Sequence, residues 1–222
     1  MPTDAVLEPQ FAEAGQQRAA SLMGIWVFLA TEVLLFGSIV VAFLATRFLH
    51  AHDFEVGAER LNVLIGGVNT LVLLASSLTM ALAARAAQLD GKHLTAYLVL
   101  TALLGLAFLG LKGYEYFADW RDGLIPGTAR FAAEDWSDAD PRHVTLFMTF
   151  YFITTGLHAV HLTIGIGIVT WLTVVTRRGV DNARATEAEV VGLYWHFVDV
   201  VWIFLLPLLY LSGHHTLSDL HF

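Results

Sequence analysis

The chain contains no cysteine in its 222 residues. That excludes disulfides, thiolate-held metals and iron–sulfur clusters, and leaves histidine and carboxylate as the only strong ligands for a metal. Charge is also scarce. Only 14% of the residues are charged, 12 Lys and Arg against 20 Asp and Glu, for a net charge of −8. The basic residues are scattered between apolar runs and form no patch, which excludes a nucleic-acid interface. The beginning carries Asp4, Glu8 and Glu13 against Arg18. This is not the basic start and short apolar core of a cleaved signal, so the first long apolar run is the expected insertion signal. No internal repeat, low-complexity stretch or domain boundary is evident.

Apolar residues, by contrast, make up 56% of the chain, with a mean hydropathy of +0.63, a composition typical of membrane proteins. Five runs of about 18 residues or more lie near Leu22 to Thr46, Asn62 to Ala84, Leu94 to Tyr116, His143 to Val175 and Val190 to Leu211. The expected fold is all-α, an integral membrane antiparallel five-helix bundle over residues 22–211. A cytoplasmic N-terminal segment precedes it at 1–21, and an external C-terminal tail follows at 212–222. Lys and Arg divide evenly between the two sides. The short turns from Arg85 to Lys92 and from Arg177 to Arg184 hold them most densely, which favours a cytoplasmic N-terminus.

Along the chain, the first span carries one carboxylate, Glu32, roughly 12 to 15 Å from the cytoplasmic boundary at about 1.5 Å per residue. A carboxylate at that depth is expected to carry a proton or find a partner. The connection from Arg47 to Leu61 holds His50, His52, Asp53, Glu55 and Glu59, and reads as a solvated loop rather than a metal site. Span two is rich in glycine, serine, threonine and asparagine, which suits close helix contact in a bilayer. Span three ends in Lys112 and Glu115, expected to pair or snorkel at the outer interface with Tyr114 and Tyr116 as interfacial anchors. The stretch from Phe117 to Arg142 is the longest hydrophilic segment and a candidate docking loop. Pro207 is expected to kink the last span.

Two ionisable pairs at i, i+3 share helix faces: His158 with His161 in span four, and His196 with Asp199 in span five. Helix arithmetic places His196 roughly 9 Å, Asp199 roughly 14 Å and His161 roughly 20 Å from the cytoplasmic boundary, close to the depth of Glu32. A polar layer in the inner half of the bundle follows if these faces meet. Its plainest reading is structural, a hydrogen-bonded core that fixes helix register. Heme ligation by His158 or His161 with His196 is disfavoured by their depth difference of about 10 Å and by the lack of a second matched pair. A proton-coupled carrier using Glu32, His161 and Asp199 is disfavoured by the lack of an inverted repeat.

The strongest pointer is the stretch Tyr194-Trp195-His196-Phe197-Val198-Asp199-Val200-Val201-Trp202. It resembles the signature of the last helix of the heme-copper oxidase subunit III family (cytochrome c oxidase subunit III). Thr31-Glu32-Val33-Leu34-Leu35-Phe36, Tyr114-Glu115-Tyr116 and Thr155-Gly156-Leu157-His158-Ala159-Val160-His161-Leu162-Thr163-Ile164-Gly165 resemble earlier parts of the same family, in the family's order.

The resemblance implies a subunit of a respiratory terminal oxidase that holds no heme or copper itself. Its partners would be oxidase subunit I above all, then subunit II and other subunits, and they would carry the cofactors and the electron-transport chemistry. It further implies a cleft that binds phospholipid and support of proton uptake by subunit I. By position, Glu32 matches the family's buried carboxylate beside that cleft, and His158, His161, His196 and Asp199 match its polar positions. Glu32 is expected to bond to His158 or His161, with Arg177 and Arg178 as weaker contacts to lipid head groups. No residue is assigned as catalytic or metal-binding. The longer family form has two more N-terminal helices, so the resemblance here is to the short bacterial five-helix form, in the inner membrane. One wall of the cleft is then absent or supplied by another subunit. Nitric oxide reductase accessory subunits are an alternative within the same family.

Overall fold

The structure is a computed structural model that describes residues 9–89, 91, 93–134, 136, 138–177 and 182–211. Arg178 and the tail 212–222 with its three histidines lie outside the described residues. The described chain is all-α. The helices are α1 (Ala14–Leu49), α2 (Ala51–Glu59), α3 (Val63–Gln88), α4 (Leu94–Arg121), α5 (Ala129–Ala133), α6 (Pro141–Thr176) and α7 (Asn182–Tyr210). Five of them, α1, α3, α4, α6 and α7, are long and apolar enough to cross a membrane. Large apolar side chains stand on their outer surface, Leu34 at 74% and Phe48 at 86% exposure among them. A bilayer would accept such a surface, whereas water would not.

Local chemistry sets the helix ends. Asn62 Oδ1 accepts the Ile65 amide at 3.1 Å to open α3. Asp140 Oδ1 accepts the Arg142 amide at 2.9 Å, with Pro141 in the first helical position of α6, where its missing N–H costs nothing. After α3 the Gly91 amide reaches back to Ala86 O at 2.9 Å, and Gly91 then turns the chain with φ of +69°, a left-handed conformation that glycine adopts without strain. α7 continues through Pro207 to Tyr210.

Two expectations change. Between Arg47 and Leu61 the chain forms α2, not a solvated loop, and buries Phe54, Gly57 and Ala58. The apolar residues Phe54, Val56 and Ala58 are few but sit beside small Gly57, whose missing Cβ admits the Phe147 ring; a Cβ there would lie 2.6 Å from Phe147 Cδ1. The hydrophilic stretch is also shorter than it reads, because α4 runs on to Arg121.

Two compact units divide the chain. The first comprises Met1–Leu34, Val72–Ala107 and Val160–Val200, and the second Leu35–Leu71, Phe108–Ala159 and Val201–Phe222. Each spanning helix contributes a segment to both. The first unit is organised around Trp195, which is 1% exposed and donates its indole N–H to Ser76 Oγ at 3.0 Å. Room for the indole comes from glycines on two helices: a Cβ on Gly105 would lie 2.9 Å from Trp195, and one on Gly165 3.3 Å. Thr79 and Thr101 join their hydroxyls at 2.7 Å, so small and hydroxyl residues provide both close approach and interhelical bonds.

The second unit packs Phe43, Phe54 and Phe147 together, with ring centroids at 5.3, 5.5 and 6.1 Å. Beyond that core, α2 is tied by His52 Nε2 to Asp138 Oδ1 at 3.0 Å, with both side chains exposed. This hydrogen bond, and then the attraction behind it, holds the His52 imidazole above its ordinary pKa; the same bond holds the Asp138 carboxyl below its own. The stabilising contribution of His52 is complete below its ordinary pKa and is lost as pH rises through the raised value. That of Asp138 is complete above its ordinary pKa and is lost as pH falls through the depressed value. The pair therefore persists across the interval between the two, and being exposed it contributes little to stability.

Two outcomes follow from this packing. Gly105→Ala and Gly110→Ala gain the same helix propensity, about 1 kcal/mol, but only at Gly105 does the new methyl meet a rigid neighbour. Gly105→Ala should therefore be less stable than Gly110→Ala by about 1–3 kcal/mol, seen as a lower unfolding midpoint in detergent. In an NMR titration, Asp138→Asn should bring the His52 resonance down to the ordinary histidine range, and an unchanged titration would refute the pairing.

Candidate functional site

In the first unit, α1 brings Glu32 to α6, and His161 Nε2 lies 2.9 Å from Glu32 Oε2. Only 12% of the His161 side chain and 13% of Glu32 remain exposed. The neighbours Val33 and Leu34 are exposed and apolar, so this polar pair sits just inside a lipid-compatible surface. The backbone carbonyl of His161 accepts the Tyr194 hydroxyl at 2.9 Å, which ties α7 to the same turn of α6. Of the two histidines on span four, His161 is thus the one that meets Glu32.

His196 and Asp199 meet a different partner. Ser77 of α3 lies 2.8 Å from His196 Nδ1. Asp199 is 3% exposed, and its two carboxylate oxygens make no hydrogen bond among the described residues, although the Ser77 hydroxyl is in its electrostatic neighbourhood. With His161 engaged by Glu32 and His196 by Ser77, the two imidazoles serve separate helix contacts.

His158 belongs to the second unit and is 1% exposed. Its ring stands against Phe108 and Trp202, with centroids 5.6 and 5.0 Å away. The i, i+3 spacing puts His158 and His161 on one helix face, yet one packs among aromatic rings and the other pairs with a carboxylate.

The densest polar cluster is one that sequence reasoning placed at the interface. Lys112 and Glu115 are each 2% exposed, and Lys112 does not snorkel. Its ammonium donates to Glu115 Oε2 at 3.0 Å, to the Tyr151 hydroxyl at 3.0 Å and to the Tyr210 hydroxyl at 2.6 Å. The Tyr210 hydroxyl donates to Glu115 Oε1 at 2.6 Å, and Tyr151 to Glu115 Oε1 or Asp119 Oδ2, each at 3.1 Å. The rings of Tyr116, Tyr151, Tyr210 and Trp202 surround the ammonium at 4.6 to 5.5 Å from their centroids. One cation thus meets the Glu115 carboxylate, two phenol oxygens and several ring faces, with Asp119 joined through Tyr151. The signal available in sequence was the i, i+3 spacing of Lys112 and Glu115 extended to Asp119; Tyr151 and Tyr210 could not be joined to it without the fold.

A groove of about 790 Å³ opens in the first unit, lined by Arg18, Ser21, Gln88, Trp171, Glu189 and Val190 among others. Arg18 and Glu189 pair across it at 2.8 Å. Its mixture of a guanidinium, hydroxyl and amide groups with an indole suits an amphipathic ligand.

Over residues 7–214 the chain matches the family model described as cytochrome c oxidase subunit III. A protein named "Probable quinol oxidase subunit 3" from Staphylococcus haemolyticus is 31% identical over 195 residues, covering 86% of this chain and 88% of its own. Proteins of the same name from Staphylococcus aureus and Staphylococcus epidermidis are 30% and 28% identical, with the same coverage of both chains.

The lysine cluster makes a direct prediction. Lys112→Met leaves the buried Glu115 carboxylate without its cation and should cost about 3–5 kcal/mol. Adding Glu115→Gln should return a large part of that loss, because the remaining charges are fewer. The two thermal unfolding midpoints in detergent check this, and equal stability of single mutant and wild type would refute it.

Proposed function

The chain belongs to the cytochrome c oxidase subunit III family and is a multi-pass membrane subunit of a heme-copper oxidase, working in a complex with other oxidase subunits; from that premise we propose that it packs on subunit I, retains phospholipid and sustains proton uptake during oxygen reduction. Heme and copper are carried by its partners, and this subunit contributes no redox centre. It lies in a bacterial inner membrane with its N-terminus in the cytoplasm. The names of the relatives favour quinol over cytochrome c as electron donor to the complex.

The observation that carries the lipid reading is the Glu32–His161 pair, nearly buried at 2.9 Å beneath exposed apolar residues of α1. A buried polar pair contributes little net stability against a well-packed apolar replacement of the same volume. Its position beside a lipid-compatible face supports a role in holding an amphipathic neighbour. The Arg18-lined groove supports the same reading for a head group at the inner surface. Arg177, exposed at the end of α6, is a weaker contact of the same kind.

Gentle detergent extraction from the native membrane, followed by pull-down of the chain and a reduced-minus-oxidised spectrum, tests the assembly. A heme- and copper-containing partner that consumes oxygen is expected; a heme and non-heme-iron partner would reassign the complex to nitric oxide reduction. In that assembly Glu32→Ala should leave the initial rate of oxygen consumption near wild type. Activity should nevertheless decay faster over repeated turnover, with less phospholipid recovered by mass spectrometry. Wild-type lifetime and lipid content in Glu32→Ala would overturn the proposed role.

A further inference from the structure

A second cluster lies in the second unit, next to the His52–Asp138 pair. His50 sits at the corner between α1 and α2, Asp53 in the first turn of α2, and His143 in the first turn of α6. Each offers one donor atom, and the three atoms lie within 4.8 Å of one another. His143 Nδ1 is 2.7 Å from Asp53 Oδ2, with Asp140 Oδ2 at 4.0 Å on the other side. The His50 and His143 rings stack with centroids 3.5 Å apart and planes 21° from parallel. None of the three is fully buried, so an ion from the medium can reach them.

We propose that His50, Asp53 and His143 form a binding site for a divalent transition-metal ion of the zinc class, clamping the α1–α2 corner to the start of α6. The donor set selects the ion. Two imidazoles with one carboxylate suit zinc and its neighbours in the first transition row, whereas calcium and magnesium require oxygen ligands throughout. The spacing suits it as well. Metal–ligand distances of about 2.0–2.2 Å put tetrahedral ligands roughly 3.4 Å apart; the three donor atoms lie within 4.8 Å of one another, with His143 Nδ1 and Asp53 Oδ2 at 2.7 Å. Side-chain rotations that open the ring stack and part that hydrogen bond bring the set to ligand spacing, because each imidazole must hold the ion in its own plane.

Neutral imidazole is the form that ligates metal. A single carboxylate already bonded to one ring then supplies the anionic ligand. The fourth position falls to Asp140 or water. The ion would be structural, which accords with a subunit that holds no redox centre. His52 is outside this set, because it turns to Asp138.

Zinc binding to the full-length chain tests the site. The protein is purified in mild detergent without a polyhistidine tag, in a background where His214, His215 and His221 of the tail are changed to Gln. Equilibrium binding of radioactive Zn²⁺ should find about one ion per chain. His50→Phe keeps a ring in the stack and removes only the ligand. It and His143→Gln should each weaken binding by about tenfold or more, the scale on which even supporting residues affect metal affinity. His52→Gln should change it less than about twofold. Zn²⁺ should also raise the thermal unfolding midpoint of the background protein, as a ligand bound only to the folded state must, and should not raise that of His50→Phe. A cooperative transition without zinc confirms that each variant is folded. Absence of a stoichiometric site in the background protein would overturn the proposal. So would a site that survives both His50→Phe and His143→Gln, or one that His52→Gln abolishes equally.

Discussion

An ammonium buried among apolar side chains cannot be solvated by anything the bilayer supplies, and in the second unit the facing segments of α4, α6 and α7 are arranged around that constraint at Lys112. Desolvating such a charge costs several kcal/mol, so the surrounding protein must return its hydration in another form. Glu115 supplies the counter-charge, Tyr151 and Tyr210 supply phenol oxygens, and four aromatic rings offer their electron-rich faces. α4, α6 and α7 each contribute to this cage. Their relative rotation is therefore fixed by one cation in a way that exchangeable leucine contacts could not enforce.

The first unit answers the same constraint with weaker groups. Trp195 fills a notch cut by two glycines and gives its only donor to Ser76, and Glu32 and His161 hydrogen-bond to one another near the surface. Two buried groups stand outside this pattern. Asp199 and Asn69 have buried polar atoms that make no hydrogen bond among the described residues. An unmet buried polar atom costs about 1–3 kcal/mol, which an internal water or a neighbouring subunit would relieve.

The resulting division of labour suits a subunit that supports a reaction carried out elsewhere. Deeply buried networks hold helices in register, while Glu32 and His161 lie just beneath a lipid-compatible face. The corner formed by α1 and α2 adds a third kind of site, accessible to solutes and built from metal-ligating side chains. A soluble enzyme concentrates its polar groups at one reactive centre. Here they are distributed along the helices, each group satisfying the contact in which it sits.

Length and hydropathy by themselves determined the five spans and the all-α class, because a bilayer demands about 20 apolar residues per crossing and leaves the backbone no alternative to helix. The motifs around Glu32, His158–His161 and His196–Asp199 determined the family. Helix periodicity could place residues on a face, but could not say which helix that face would meet. Tertiary packing alone decided that Glu32 meets His161, that His158 enters an aromatic cluster, and that His196 turns to Ser77. It also decided that Lys112 goes inward, since snorkelling and burial differ only by the presence of Tyr151 and Tyr210, 39 and 98 positions away in the chain. His143 joins Asp53 across 90 positions for the same reason. Partners so distant leave no periodic trace, and only the folded path of the chain brings them within bonding distance.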